Sequence, residues 1–433
     1  MTRKNKAAAI LLILIFAVFF CLAYFVYATL GQLGGHIYLN QVFYSLGQLS
    51  GLTGFLFLSI IIISGDTARF FDRFFGMDKI IKFQRKFATI VFIFVLFHPI
   101  FFMLANKSIS NFLVPNFLSV PLSVGIISFY LFIAVSIASK IYKRISHIIW
   151  QYIHILTYLL FFSALYHAVN LGYHYYLLPI KTIYALLLIL IIIGIIYRTW
   201  YKIINRKLIF VVKEIKRETE DTFTLSLRSN KKFNFKAGQF CFLRLDRKKL
   251  YARHPFTISS APQDNDVCFT IKLKGRFTKE AAELKTGERV IVEGPFGIFN
   301  IEDKKKNLVF IAGGVGIAPF MSIIRDKINN KDFQDVLLLY GVKTKNDLIF
   351  RDDLERIREK WFQKVYVLND DSFYSGPCEK GYVDEKIIKK YVGNPENSIF
   401  YICGPEPMKE MCKKALFDIG VRKNNIIVES FFW

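Results

Sequence analysis

The sequence predicts a multi-domain membrane protein: a six-helix transmembrane bundle, then a small antiparallel β-barrel, then an α/β domain. Three observations predict it. Long apolar runs fill the first 200 positions, short alternating runs follow Lys207, and from Leu308 the rhythm becomes strand, glycine turn, helix. A chain of 433 residues has room for two or three such domains.

The apolar runs are Ala7 to Leu30, Ser50 to Gly65, Phe87 to Leu104, Leu122 to Ser139, Ile149 to Leu171 and Leu178 to Tyr197. A hydrocarbon layer of about 30 Å takes roughly 20 helical residues, which these runs and their flanks supply. The first run follows Arg3, Lys4 and Lys6, as a signal peptide's would. It exceeds an ordinary h-region, and no small-residue cleavage pattern leads from it into a soluble domain, so it is read as a span.

A formal net charge of +24 raises nucleic acid as a partner, and the distribution of that charge argues against it. Lys and Arg gather at Arg3 to Lys6, Arg69 to Lys86, Lys140 to Arg144 and Arg198 to Lys207, while the alternate loops carry little beyond Lys107 and Lys181. This is the positive-inside pattern, with the N-terminus and everything after Arg198 cytoplasmic in the plasma (inner) membrane. The basic residues then report topology and contact with anionic lipid. The six cysteines, Cys21, Cys241, Cys268, Cys378, Cys403 and Cys412, show no paired spacing, which disfavours a disulfide framework or zinc site.

In the second half, Ile209 to Val212, Phe223 to Leu227, Gln239 to Leu245, Phe256 to Ser259, Cys268 to Leu273 and Arg289 to Val292 read as barrel strands. Leu308 to Ala312, Val336 to Tyr340, Lys364 to Leu368 and Ser398 to Cys403 read as strands of a parallel sheet, with a helix over Met321 to Ile328. Gly313, Gly314 and Gly316 follow the first of these. Small residues there let a dinucleotide approach backbone N–H groups at a helix N-terminus, although the spacing is not GxGxxG.

Four motifs in fixed order carry more. They are Arg253 to Ser260 (RHPFTISS), Gly294 to Gly297 (GPFG), Gly313 to Phe320 (GGVGIAPF) and Cys403 to Met408 (CGPEPM). Together they resemble the ferredoxin-reductase-type FAD and NAD(P)H module of the ferric reductase and NADPH oxidase superfamily, of bacterial type, over residues 205–433. The resemblance implies an NAD(P)H-dependent flavocytochrome oxidoreductase in three parts: a haem-binding transmembrane domain at 1–204, an FAD-binding barrel at 205–301 and an NAD(P)H-binding α/β domain at 302–433.

It also implies roles. His254, Pro255, Phe256 and Thr257 line the flavin, and Arg253 with Lys274, Gly275 and Thr278 holds the FAD pyrophosphate. Gly313, Gly314, Gly316 and Pro319 form the pyridine-nucleotide phosphate loop. Cys403, Gly404, Pro405 and Glu406 lie beside the nicotinamide, and Phe431 stacks on flavin. Each has a plainer alternative: Phe256 as barrel core, Cys403 as a small buried hydrophobe, Phe431 or Trp433 as closure of the domain. Lys343 and Lys345 either meet a 2′-phosphate or are solvated on a surface turn, which leaves both NADH and NADPH open.

Histidines inside apolar spans are costly unless paired or ligated. His98 lies in the third span, His154 and His167 in the fifth. The superfamily uses two histidines on each of two helices as axial ligands of two stacked b haems. His98 and His167 then hold an outer haem iron, and His154 an inner one. Its expected partner, 14 residues before His98, is Gln84. The inner haem is thus held by His154 alone or with Gln84, water or His147, or is absent. His154 and His167 lie roughly 140° apart on an ideal helix, so a bulge or bend is expected between them.

Arg85, Lys86, Lys143 and Arg144 either reach haem propionates at the inner face or are simply the charges the positive-inside rule already explains, and His36 and His174, in outward loops, either meet a metal chelate or are inert. The acceptor is dioxygen or a ferric complex; the rival reading is a membrane-anchored flavin reductase serving a quinone or a partner protein.

Overall fold

A computed structural model describes residues 38–141, 147–172, 176–205, 208–246, 253–301, 306–370 and 378–429. The expected first span, His36, His174, Phe431 and Trp433 lie outside the described residues. The chain divides into two compact units, Met1–Tyr201 and Lys202–Trp433.

In the first unit, the helices Leu39–Asp66, Met77–Asn106, Val120–Lys140, His147–Leu171 and Leu178–Asn205 cover the five described apolar runs. All five are long and apolar enough to cross a membrane. Their inward faces bury Phe55, Leu58, Val91, Phe132, Phe161 and Ile191, while Ile93, Ile155 and Ile193 remain exposed on the outward faces. Apolar residues on both faces mark helices whose surroundings are also apolar.

Gly47, Gly51 and Gly54 form a seam on the first of these helices and receive Phe102, His98 and Val95 of Met77–Asn106. Small residues let two helices approach closely where no water drives them together. The basic stretch after Asp66, expected to be loop, contains the helix Ala68–Phe75. Its exposed Phe70, Phe71 and Phe74, with Arg73 over the Phe70 ring at 4.3 Å, suit a helix lying in the headgroup layer.

The second unit holds two sheets. The first is six-stranded and antiparallel throughout, in the order β4 (His254–Thr257), β3 (Phe240–Leu245), β6 (Arg289–Phe296), β1 (Ile209–Thr219), β2 (Thr222–Arg228), β5 (Val267–Lys272). Its two edges meet at a single bridge, Ile258 to Phe269. Leu225, Leu227, Cys241, Leu243, Phe269 and Val290 fill the space within. β1 outruns its apolar stretch by seven residues because bulges after Val212 and Arg217 keep a polar continuation paired to β2.

The second sheet is wholly parallel, in the order β10 (Cys378–Lys380), β9 (Phe362–Leu368), β8 (Val336–Val342), β7 (Asn307–Gly313), β11 (Ser398–Cys403), β12 (Ile426–Val428). After β10 the chain crosses back past β7, so the strand order reverses between β7 and β11. Ligands of open α/β sheets bind at such a reversal, beyond the carboxyl ends of the strands. Gly313 ends β7 and Cys403 ends β11, which brings the glycine turn and the Cys-Gly-Pro turn together there.

Candidate functional site

The crevice between β7 and β11 is built by the absence of side chains. A Cβ on Gly316 would strike the Cys403 carbonyl oxygen and lie 2.8 Å from Gly404 N. One on Gly313 would lie 2.5 Å from Met408 Sδ, and one on Gly404 3.1 Å from Gly313 N. The two turns are therefore in main-chain contact. Gly314 is different: at φ +52° it adopts a left-handed conformation, and nothing lies within 4 Å of its open face. A phosphate can approach the backbone there. Beneath it, the buried Tyr340 hydroxyl donates to Gly314 O at 3.1 Å and accepts from Ile349 N at 3.2 Å. Pro319 lies in the first turn of the following helix, Ala318–Asn330.

Cys403 is fully buried, and burial, with Glu429 nearby, pushes its thiol well above the ordinary range. It is a neutral packing group at any physiological pH. The next helix, Glu406–Asp418, carries the buried Lys409, whose Nζ pairs with Glu406 at 2.6 Å and donates to Glu429 O at 3.3 Å. That bond fixes the last described residue against the Cys403 turn. Lys343 pairs with Asp370 at 3.5 Å on the surface.

On the antiparallel sheet, β4 runs beside β3 with Phe256 opposite Cys241 and Thr257 opposite Phe240. Phe256 stacks on Phe277 with centroids 5.7 Å apart, and His254 lies 4.1 Å from the same ring. Thr257 Oγ1 is buried and has no hydrogen-bond partner among the described residues. A buried hydroxyl without a partner is costly, so this atom fits a ligand that supplies one, as a flavin edge does.

Arg253 is held by two groups that the motif does not contain: Glu293 Oε1 at 3.1 Å and the Phe242 ring, 4.6 Å from its Cζ. The other oxygen of the buried Glu293 accepts from Arg244 at 3.2 Å. Thr278 Oγ1 accepts from Lys274 N at 2.9 Å and Gly275 N at 3.0 Å, shaping a turn over an open depression that Arg276 and Lys279 also line. The two sheets are tied where β4 ends: Ser322 donates to Ser260 O and Arg325 to Ser259 O, both at 2.7 Å.

In the membrane unit, His98 and His167 come together from different helices, with ring centroids 6.1 Å apart and planes at 85°. Metal–imidazole bonds of about 2.0–2.1 Å, with about 1.1 Å from nitrogen to ring centre, put two rings on one metal about 6 Å apart. His98 Nδ1 lies 2.8 Å from Gly47 O, and His167 Nδ1 lies 2.9 Å from Pro121 O. A carbonyl oxygen only accepts, so each Nδ1 carries the proton and each Nε2 keeps its lone pair for a metal. Gly51 and Gly125 make room for the rings: a Cβ on Gly51 would lie 2.5 Å from His98 Nδ1, and one on Gly125 would collide with His167 Nδ1. Two imidazoles so presented could hold one haem iron.

His154 and Gln84 do not mirror this arrangement. Gln84 Nε2 donates to Ser64 Oγ at 3.0 Å, and His154 lies within electrostatic reach of Arg198 and Asp66. The helix His147–Leu171 is continuous, so of the bulge or bend expected between His154 and His167 the bulge is not there. Its two histidines face different neighbours, which an unbroken helix at that spacing allows. Arg85 and Lys86 are exposed beside Gln84; Lys143 and Arg144 lie outside the described residues, and the placement of the His147 side chain is not described.

Three family models match the chain in order. They are the ferric reductase like transmembrane component at residues 50–165, the FAD-binding domain at 207–300 and the oxidoreductase NAD-binding domain at 310–414. The toluate 1,2-dioxygenase electron transfer component of Pseudomonas putida is 29% identical over 231 residues, 51% of this chain and 66% of that protein. A component of the Na(+)-translocating NADH-quinone reductase of Serratia proteamaculans is 29% identical over 157 residues, 34% of this chain and 38% of that one. The chain spans less than two thirds of either relative. The flavohemoglobin of Malassezia yamatoensis superposes with a TM-score of 0.50 at 21% identity over 63% of this chain and 73% of that one, a likeness of fold alone.

Crevice, flavin strand and apolar helices thus define a membrane-embedded oxidoreductase, an NAD(P)H-dependent flavin reductase module joined to a transmembrane domain. With its three matched regions in this order, the chain has the domain architecture of the ferric reductase and NADPH oxidase superfamily.

Proposed function

We propose that this chain moves electrons from cytoplasmic NAD(P)H across the plasma membrane to an outer acceptor, dioxygen or a ferric complex, through FAD and a b-type haem. The observation that carries the relay is the His98–His167 pair, with both Nδ1 protons committed to carbonyls and the rings at the separation one iron requires. FAD, when bound, accepts a hydride and releases electrons singly, and haem iron carries them one at a time.

The protein's own groups position these partners. Gly313, Gly314, Gly316 and Pro319 take the nucleotide phosphates, and Cys403, Gly404, Pro405 and Glu406 wall the nicotinamide. Phe431 would stack on the flavin. Arg253, Lys274, Gly275 and Thr278 hold the FAD pyrophosphate, while His254, Pro255, Phe256 and Thr257 seat its ring. His98 and His167 ligate the haem. The working boundaries are 1–204, 205–301 and 302–433.

The direct test is anaerobic addition of NADH or NADPH to the purified protein. The reading expects the spectrum of a reduced b-type haem. A flavin that bleaches beside an unchanged or absent haem band would overturn it, and would favour the second acceptor class, the quinone or protein partner to which the relatives' names point.

Thr257→Val offers a test of opposite signs. If Thr257 bonds the flavin, the variant weakens FAD binding by about 0.5–1.5 kcal/mol, roughly 2- to 12-fold in Kd. If it does not, removing an orphaned buried hydroxyl leaves FAD affinity unchanged and raises thermal stability. Titration of the apoprotein with FAD, followed by flavin fluorescence, decides between them.

A further inference from the structure

We infer that Ser322 and Arg325 are positioning residues for hydride transfer: through two main-chain carbonyls they lock the nucleotide-binding turn to the flavin strand and so set the reach from nicotinamide to flavin. This rests on the NAD(P)H and FAD sites proposed above and names what holds the two at a working distance.

The lock lies close to both sites. The helix Ala318–Asn330 leaves the glycine turn directly, through the single turn Gly314–Ile317. From Ala318 to Ser322 is one further turn, about 6 Å along the axis. On the other side, Ser259 lies two residues beyond Thr257, about 7 Å along an extended chain. Two hydrogen bonds join these stretches, Ser322 Oγ to Ser260 O and Arg325 Nη1 to Ser259 O, each 2.7 Å. A serine hydroxyl inside a helix commonly turns back to the carbonyl one turn earlier. The fully buried Ser322 donates across to the other sheet instead.

Both ends of the lock are held firmly. Ser259 and Ser260 are buried and bolted to β5: Ser259 N donates to Cys268 O at 2.8 Å, Cys268 N to Ser260 Oγ at 3.0 Å and Thr270 Oγ1 to Ser259 Oγ at 3.0 Å. Arg325 is gripped from its own side as well. Its Nη2 donates to Asp353 Oδ2 at 2.5 Å, and its Cζ lies 5.0 Å from the centre of the Phe350 ring. Phe350 supplies that ring from a left-handed conformation, φ +59°, which is strained for a bulky side chain. Strain of this kind persists only where the surroundings over-determine it, and it gathers at functional sites.

The same helix face extends the joint. Asp326 and Asn330 follow Ser322 at intervals of four residues and so share its side of the helix. Gln263 Nε2, from the segment just past Ser260, donates to Asp326 Oδ1 at 2.7 Å and to Asn330 Oδ1 at 3.1 Å. Phe320, Ile323 and Ile324 meanwhile enter the core of the α/β sheet. A helix on the surface of a sheet ordinarily turns its polar stripe to water; here the stripe is bonded to the chain that leaves the flavin strand.

The chemistry explains why such a joint matters. Hydride transfer needs donor and acceptor carbon and nitrogen about 3–3.5 Å apart, and the two partners are held by different sheets. Their separation is therefore only as constant as the bonds between the sheets.

The test is anaerobic rapid mixing of the purified full-length protein with NADH or NADPH, followed by flavin absorbance. The limiting rate at saturation, the half-saturating concentration and the long-wavelength charge-transfer absorbance of stacked nicotinamide and flavin are read separately. Combining Ser322→Ala with Arg325→Met is expected to lower the limiting rate by about 10²-fold and to weaken the charge-transfer absorbance, while half-saturation and FAD content hold. Arg325→Lys in place of Arg325→Met should recover part of the rate, since it returns a donor to Ser259 O. Ser322→Ala alone, which suits a helix, should show a smaller fall in the same limiting rate and decides the matter if the double variant does not fold. A limiting rate and charge-transfer band equal to those of the unaltered protein, with only thermal stability or nucleotide affinity lowered, would overturn the inference alone. An unaltered protein whose bound flavin neither nucleotide reduces would overturn it together with the function on which it rests.

Discussion

Gly125→Ala is expected to strip haem from the protein while FAD stays bound. The added methyl collides with His167 Nδ1, the atom that donates to Pro121 O and so sets which way the ring faces. The ring must swing away, and the carbonyl bond goes with it. Loss of such a supporting bond typically costs about 10–100-fold in metal affinity, and here the ligand is displaced as well.

Gly51→Ala should behave in the same way, since its Cβ would lie 2.5 Å from His98 Nδ1. Gly47→Ala is the control: its Cβ would meet the Phe102 ring at 3.0 Å, a contact that a modest ring shift relieves. Haem absorbance per FAD measures all three. The expectation is near-complete loss for Gly125→Ala and Gly51→Ala and retention for Gly47→Ala. Equal haem in all four proteins would show that the imidazoles are not the ligands.

At the other end of the path, Gly316→Ala is expected to abolish NAD(P)H oxidation with haem and FAD intact. Its Cβ falls on main-chain atoms of both Cys403 and Gly404, which no rotamer change can move aside. The glycine turn and the Cys-Gly-Pro turn must therefore separate, and with them the two walls of the proposed nicotinamide site. A misplacement of about 1 Å can cost about 10²-fold in rate, so kcat/KM should fall at least that far.

Gly314→Ala gives the contrast. It meets nothing within 4 Å but must hold φ near +52°, at a cost of about 1–2 kcal/mol in backbone strain. Its effect should appear in stability more than in rate. Steady-state kinetics with a soluble dye as acceptor, which bypasses the haem, measures both variants.

Much of this architecture is legible in the sequence because it follows from period and composition. Five apolar runs became helices, and the expected strands from Ile209 to Cys403 reappear, most of them within a few residues of their forecast ends and β1 seven residues longer. The motif residues are also visible in sequence, and the fold brings Gly313, Gly316, Cys403 and Gly404 to one crevice from positions about 90 apart.

What the sequence hides are supports that depend on distant neighbours. Gly51 and Gly125 look ordinary in apolar helices, where glycine is common, and only packing shows that each faces an imidazole. Glu293 and Phe242 hold Arg253 from other strands. Asp66 and Arg198 are 132 residues apart, and each alone resembles one more charge at a basic membrane edge. The three-residue strands β10 and β12 are too short to carry a period, and exist because β9 and β11 offer them edges. Gln84 is the reverse case: the sequence shows what is missing, and the structure shows what its amide does instead.

The most direct measurement of the central claim is transmembrane electron transfer in sealed vesicles that hold the full-length protein with its cytoplasmic module outward. A membrane-impermeant ferric chelate is trapped in the lumen, and NADH or NADPH is added outside. The account predicts reduction of the trapped chelate at a rate that falls to background in His167→Ala, while reduction of an external dye continues. A lumenal chelate that stays oxidised during rapid external dye reduction, in oxygen-free vesicles shown to contain haem, would contradict passage of electrons across the bilayer.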